Sequence, residues 1–318
     1  MSSSFDEKVL LSGWEIEPLN LYEPIHYALK SGGKRMRPQL VEFGCRLFQK
    51  EEKNVFNAAA AIEIFHNFTL LHDDIMDNSL VRRNRPTVHA KWNANTAILS
   101  GDAMMIKAYE FLQKIPEKYW TKVFPLFTKT ALQVCEGQQF DMDFETRKDV
   151  SLEDYFLMIE LKTAVLLACS LKIGAILADA PEKDADLLYN FGIALGIAFQ
   201  IKDDYLDTFG DFETLGKRIG EDILCNKKTF LLLSAYQNAD RQTVENLRDT
   251  LENKNIPDDE KIVSVTDLFK KLNVDKICEN ELEKYYSLAI NYLNKISVEE
   301  EKKNELKNLA EKLKVRNN

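Results

Sequence analysis

Residues 58–77 read AAAAIEIFHNFTLLHDDIMD, and residues 188–207 read LYNFGIALGIAFQIKDDYLD. Each is an apolar run of about five helical turns that closes on two adjacent aspartates and a third one three residues later. On the first, Ile62, His66, Thr69, Asp73 and Asp77 recur at spacings of three or four, which a helix gathers on one side. On the second, Gly192, Gly196, Gln200, Asp203 and Asp207 do the same. Acidic runs usually decorate a water-facing helix side, but these helices are otherwise strongly apolar. Aspartates one turn apart repel by a few tenths of a kcal/mol even on a helix surface. Six carboxylates gathered in an apolar bundle cost far more, unless their pKa values rise or cations sit among them.

Magnesium resolves the conflict. It takes oxygen ligands, commonly one or two carboxylates completed by substrate phosphates and water. If the two helices face each other in a bundle, their carboxylates become two walls of a cation-filled cleft, and a diphosphate is the natural substrate.

The rest of the chain agrees with a helical protein. It has 318 residues, 45% of them apolar, and only 12 glycines and 8 prolines. Turn residues are too sparse for a sheet protein, and the apolar content too high for disorder. Helices are expected over residues 1–30, 38–50, 54–78, 92–113, 118–143, 151–179, 183–209 and 227–237, then several more in a Lys- and Glu-rich tail. That tail reads as peripheral helices around the bundle, so the expectation is an all-α fold in one domain over 1–318. The net charge of −9 argues against nonspecific nucleic-acid binding. Five scattered cysteines without a C-x-x-C pair fit a reducing, cytoplasmic setting rather than disulfides or zinc. MSSSFDEKVL at the start lacks the pattern of a secretory leader. No run reaches the roughly 18 apolar residues of a membrane span.

Each aspartate motif is followed by cations. SLVRRNRPTVH brings Arg82, Arg83 and Arg85, and GKRIGEDILCNKKTF brings Lys217, Arg218, Lys227 and Lys228. Arginine binds phosphate oxygens bidentately, and lysine adds a mobile point charge. A third cationic stretch, SGGKRMRP at 31–38, sets Lys34, Arg35 and Arg37 beside two glycines whose backbone an anion can approach closely. It reads as a second, metal-free diphosphate pocket. A diphosphate held by metals is primed to leave; one held by Lys and Arg alone stays on its carbon. The pair implies ionisation of one substrate and capture of its carbocation by the other.

GGKRMRP, LLHDDIMD, RRNRPTVH, the GQ of CEGQQFD, Lys162–Thr163, FQIKDDYLD and the GK…D…KKT stretch stand in this order between about Tyr22 and Thr229. In this series the chain resembles the trans-isoprenyl diphosphate synthases, or polyprenyl synthetases. The resemblance implies a helical bundle with a central cavity, magnesium as cofactor, and a homodimer. It implies that Lys34, Arg37, His66 and Arg83 bind isopentenyl diphosphate. Asp73, Asp77 and Asp203 would carry the metal, with Asp74, Asp204 and Asp207 as further ligands or their supports. Arg82, Lys162, Lys217 and Lys227 would hold the allylic diphosphate (dimethylallyl, geranyl or farnesyl), with Thr163 and Gln200 lining the reacting region. Asn84 and Asn226 stand where many members have glycine; both are turn positions where Asn tolerates a left-handed backbone. His72, His26 and His89 are read as structural.

A product tail would run from Asp73 back along its helix. Phe68 lies five residues earlier, about 7.5 Å down the axis, and the resemblance gives bulk there a chain-length role beside the small Thr69. Met104, Met105 and Ala108 would form the lower wall. The expected product is geranylgeranyl diphosphate, then farnesyl. A class I terpene cyclase would not need SGGKRMRP with a full second motif, and a non-catalytic subunit would be expected to have lost an aspartate or a substrate arginine.

Overall fold

In the computed structural model, which describes Trp14 and residues 17–49, 55–210 and 219–315, helices carry nearly all the regular structure. The expected helix over 1–30 is seen as α1 (Leu19–Leu29); its earlier part lies outside the described residues. After the glycine break come α2 (Met36–Arg46) and α3 (Val55–Met76), which carries the first aspartate motif. A two-residue-turn hairpin, β1 (Val81–Arg82) with β2 (Arg85–Pro86), leads to α4 (Val88–Lys91) and α5 (Ala94–Gln113). Then follow α6 (Trp120–Thr146), α7 (Leu152–Ile159), α8 (Val165–Leu177) and α9 (Glu182–Phe209), which carries the second motif. The tail is α10 (Glu221–Leu224), α11 (Phe230–Asn238), α12 (Arg241–Glu252), α13 (Asp258–Lys271), α14 (Val274–Asn294) and α15 (Glu300–Lys314).

The chain divides into two compact units, one of residues 1–129 with 169–188, the other of 130–168 with 189–318. In the first, α3 is sheathed by α2 and α5. Ala58 to Phe65 are buried without interruption, so the first half of this helix has no water-facing side. Phe65 closes edge-on against Phe127, with ring centroids 5.3 Å apart. In the second unit, Gly192 and Gly196 let α9 lie directly on the chain at 164–168. A Cβ on either would come within 2.5 to 2.6 Å of Ala168 Cα or Ala164 Cα. The stripe that leads to the second aspartates is therefore a packing seam for most of its length. In the tail, α14 buries Val274, Cys278, Leu282, Tyr286, Ala289 and Leu293 along one side, an amphipathic pattern.

One expectation fails in a way that matters. The single helix expected over 151–179 is interrupted by a π turn at Glu160–Ala164. No helix among the described residues is long and apolar enough to cross a membrane.

Candidate active site

In the first unit, α3 delivers Asp73 half-buried, Asp74 buried and Asp77 exposed. Arg82 bridges the first two: its Nε donates to Asp74 Oδ1 at 2.6 Å and its Nη2 to Asp73 Oδ2 at 3.3 Å. Burial pushes the Asp74 carboxyl above its ordinary value, against the charge and hydrogen bond of Arg82. Arg82 reaches this position because the hairpin turns over Arg83 and Asn84, both with positive φ (52° and 58°), as a two-residue type I′ hairpin turn requires. Asn84 thus adopts the left-handed backbone expected of it, and so does Asn226 (φ 55°). Arg83, without Asn's tolerance, is held there by its surroundings.

Arg83 turns away from the aspartates and donates to the Gly32 carbonyl. Gly33, at φ 116°, packs on that guanidinium so closely that a Cβ would stand 2.7 to 2.9 Å from it. The glycines thus seat an arginine here, a second use beside the anion approach expected of them. Arg37 lies 3.0 Å from His66 Nε2. Burial depresses His66 well below its usual pKa, and the charges of Arg37, Arg83, Arg82 and Arg35 depress it further. The imidazole is therefore neutral, with Nε2 accepting from Arg37. Burial also lowers Arg37 itself to about 10, against the attraction of Glu63. Its buried Nε–H has no acceptor among the described residues. Lys34 is exposed at the edge of this group.

Arg35 does not belong to the anion pocket as expected. It donates to Glu63 and to the Leu29 carbonyl, because Glu63, 2% exposed, would otherwise be an uncompensated buried carboxylate. Glu63 also accepts from Asn67 Nδ2 at 2.9 Å. Sequence reasoning passed over it, although it is the only Asp, Glu, Lys or Arg between Val55 and His72.

Phe68 sits between Phe65 and His72, ring centroids 5.5 and 4.8 Å away. Thr69 folds its hydroxyl back onto the His66 carbonyl at 2.8 Å. His72 faces the Ile98 carbonyl of α5 at 3.2 Å, which agrees with a structural role. Met104 and Ala108 are fully buried on the same helix and Met105 half-buried.

In the second unit, α9 presents Asp203 half-buried and Asp204 and Asp207 buried. Asp204 accepts from Tyr155 Oη (2.7 Å), the Phe230 backbone N–H (3.1 Å) and Gln200 Nε2 (3.2 Å). Asp207 Oδ2 accepts the Asp222 N–H at 3.0 Å and thereby holds the first turn of α10. These two carboxylates support the fold around Asp203. The Thr163 hydroxyl donates to Gln200 Oε1 at 3.2 Å.

The π turn carries Lys162 and Thr163. Its widened backbone passes against Gly137, where a Cβ would meet Lys162 N at 2.2 Å, and π turns of this kind recur at functional sites. Lys162 Nζ is paired with Asp141 Oδ2 at 2.5 Å. Burial opposes ionisation of Asp141, but Lys162 and Lys227 outweigh it and hold the carboxyl below its ordinary range. Asp141 and Tyr155 were missed by sequence reasoning; Asp141 sits four residues after the glycine of CEGQQFD. Lys227 is exposed on the loop before α11, its N–H bonded to the Asp222 carbonyl at 2.9 Å. Lys217 and Arg218 lie outside the described residues.

Among the described residues no three His, Cys, Asp or Glu side chains form a ready-made metal cage. Asp73 and Asp77, one turn apart on α3, offer only oxygen, and so does Asp203 on α9; oxygen is the donor taken by a hard cation that fills its shell with phosphate and water.

The polyprenyl synthetase family profile matches residues 18–269. Geranylgeranyl diphosphate synthase of Sulfolobus acidocaldarius is 40% identical over 281 residues, covering 87% of this chain and 84% of its own. A crystal structure of a geranylgeranyl pyrophosphate synthase superposes with a TM-score of 0.92 at 42% identity over 99% of both chains. The geranylgeranyl pyrophosphate synthase of Corynebacterium glutamicum, crystallised with isoprenyl diphosphate and magnesium, gives a TM-score of 0.85 at 27% identity, over 94% of this chain and 91% of that one. The chain belongs to the polyprenyl synthetase family. Every polyprenyl synthetase residue discussed above, from Lys34 to Phe230, falls inside the matched span.

Proposed function

We propose that this polyprenyl synthetase is a magnesium-dependent trans-prenyltransferase that condenses isopentenyl diphosphate with an allylic diphosphate, acting as one domain over 1–318. The observation that carries the reading is the buried, unpartnered Nε–H of Arg37 beside Arg83 and a neutral His66. Buried donors are nearly always satisfied, and a diphosphate satisfies this one without a metal. Lys34 adds charge at the rim, and His66, whose Nε2 is taken by Arg37, donates through Nδ1.

The leaving diphosphate would be held by Arg82, Lys162, Lys217 and Lys227, with magnesium on Asp73, Asp77 and Asp203. Bound there, magnesium supplies charge neutralisation for the departing diphosphate. Asp74 keeps Arg82 aimed, Asp141 keeps Lys162 aimed, and Asp204 fixes the loop that bears Lys227. As the allylic carbon–oxygen bond breaks, the double bond of isopentenyl diphosphate attacks that carbon. The resulting cation loses a proton to the released diphosphate. The relatives support a short-to-medium-chain product, geranylgeranyl diphosphate ahead of farnesyl, and do not favour a cyclase or a non-catalytic subunit. Exposed Leu99 and Ile106 on α5 and Leu132 on α6, each more than 60% accessible, support a homodimer. A cytoplasmic setting fits five cysteines that form no disulfide among the described residues.

The test is incubation with magnesium, labelled isopentenyl diphosphate and each allylic starter in turn, with the dephosphorylated products resolved by length. A ladder ending at twenty carbons is expected, and EDTA should abolish it. Folded protein that condenses nothing would overturn the reading.

A further inference from the structure

The loop before α11 carries two lysines, and the proposed reaction uses one. Lys228 points instead into a cavity of about 120 Å³ formed by the end of α6, this loop, α11 and α12. The cavity is lined by Lys148, Lys228 and Arg248 against Glu252 and the exposed Glu145. Arg147, also on the rim, is already held by Asp149 and Asp154 at 3.1 and 3.2 Å.

The cations here are poorly matched by carboxylates. Lys148 approaches Glu252 only to 3.8 Å. Lys228 and Arg248 have no ion pair within 4.0 Å among the described residues, and Lys228 Nζ spends one donor on the Asn226 carbonyl at 3.1 Å. Arg248 is oriented over Tyr236, its guanidinium carbon 5.2 Å from the ring centroid. Burial lowers the Lys228 amine below its ordinary value; Glu252 offsets this, and Arg248 reinforces it. Asn226, also in the lining, has a buried Oδ1 without a hydrogen bond among the described residues, and turning that amide over would present Nδ2 as one more donor. Two cations lining one small cavity, with donors to spare, fit a tetrahedral oxyanion. The space is too small for a prenyl tail.

We propose that Lys228, Arg248 and Lys148 form a binding site for one phosphoryl oxyanion, either inorganic phosphate or one end of a diphosphate, separate from the two substrate sites. Nothing about this site depends on the condensation proposed above: a chain inactive in that assay would still bind phosphate here. Because Lys228 follows Lys227 directly, the oxyanion would also brace the loop that carries Lys227.

Phosphate and diphosphate are each titrated calorimetrically into the full chain in EDTA, which silences metal-dependent binding. The Arg37→Gln/Arg83→Gln chain removes the metal-free pocket, and its fold is checked by circular dichroism. That chain should still bind phosphate, and adding Arg248→Gln or Lys228→Gln should weaken binding by about tenfold or more, the value of a charge-assisted contact. Tighter diphosphate than phosphate would name diphosphate as the source; equal affinity would name phosphate. Should the double variant not fold, Arg248→Gln in the otherwise native chain should lower the number of phosphates bound by one. Arg248→Gln alone should leave condensation without added phosphate unchanged. Phosphate affinity that stays within about twofold after Arg248→Gln, or no binding of either anion once Arg37 and Arg83 are replaced, would overturn the proposal.

Discussion

Tyr155 donates its hydroxyl to Asp204 Oδ2 at 2.7 Å, with the phenol 1% and the aspartate 3% exposed. The same oxygen accepts the Phe230 N–H, so a single carboxylate ties α7, α9 and the start of α11 together. Burial raises the Asp204 carboxyl, opposed by Lys227 and by the hydrogen bonds from Tyr155, Phe230 and Gln200. Burial and the charge of Asp204 also push the Tyr155 phenol well above its ordinary value, so it remains a donor across the working pH range.

Tyr155→Phe removes one donor from a buried carboxylate and keeps the ring. The expected cost is about 1.5–3 kcal/mol of stability, the range for hydrogen bonds to charged groups. If the contact also positions Asp203 and Lys227, the magnesium concentration for half-maximal condensation should rise by about tenfold, a loss of roughly 1.4 kcal/mol. Denaturant midpoints combined with a magnesium titration separate the two effects. Lower stability with an unchanged magnesium dependence would reduce Tyr155 to a purely structural role.

His66 gives the chain a pH signature. Its folded pKa lies well below 6.5, because burial and the surrounding arginines disfavour the imidazolium. The unfolded chain therefore binds more protons than the folded one between the depressed folded pKa and about 6.5, so stability rises with pH through that window and is lost as pH falls through it. His66→Gln should flatten this slope of melting temperature against pH below 6.5. An unchanged slope would mean that another group carries it.

Much of this molecule could be read from residue types. The apolar runs placed the helices, the paired aspartates marked their ends, and the turn positions of Asn84 and Asn226 foretold their left-handed backbone. What escaped is long-range. Arg35 with Glu63, Lys162 with Asp141 and Tyr155 with Asp204 join residues 28, 21 and 49 positions apart, and periodicity has no term for such pairs. The π turn escaped for a related reason: ELKTA is an ordinary helical string, and its widening coincides with a contact to Gly137 that only the folded chain makes.

Gly137→Ala tests that contact. The added methyl would lie 2.2 Å from Lys162 N and 2.7 Å from Lys162 Cα, both backbone atoms with no rotamer to escape into. The π turn must shift, taking Lys162 away from Asp141. Overpacking of this kind costs about 1–3 kcal/mol, so the fold should survive. Condensation should fall by roughly a hundredfold, since small displacements of a charge-stabilising group have effects of that size. Near-native activity with near-native melting would show that the helices part without moving Lys162.

Phe68→Ala tests the chain-length role. Phe68 is 7% exposed and wedged between Phe65 and His72, so truncation should cost about 3–5 kcal/mol whatever its role. A loss of stability therefore decides nothing, and the product does. Measured one turn and more below Asp73, about 7.5 Å along the helix, the vacated ring volume would lie in the path expected of a growing tail, on the helix against which α5 packs. If the ring is the floor, the variant should extend its products by at least one five-carbon unit while keeping the affinity for isopentenyl diphosphate, because Arg37, His66 and Arg83 are untouched. Chromatography of the dephosphorylated products, run below the variant's lowered melting temperature, resolves the two cases. Products of native length from a folded variant would assign Phe68 to the core of α3 and move the search for the floor to Met104, Met105 and Ala108.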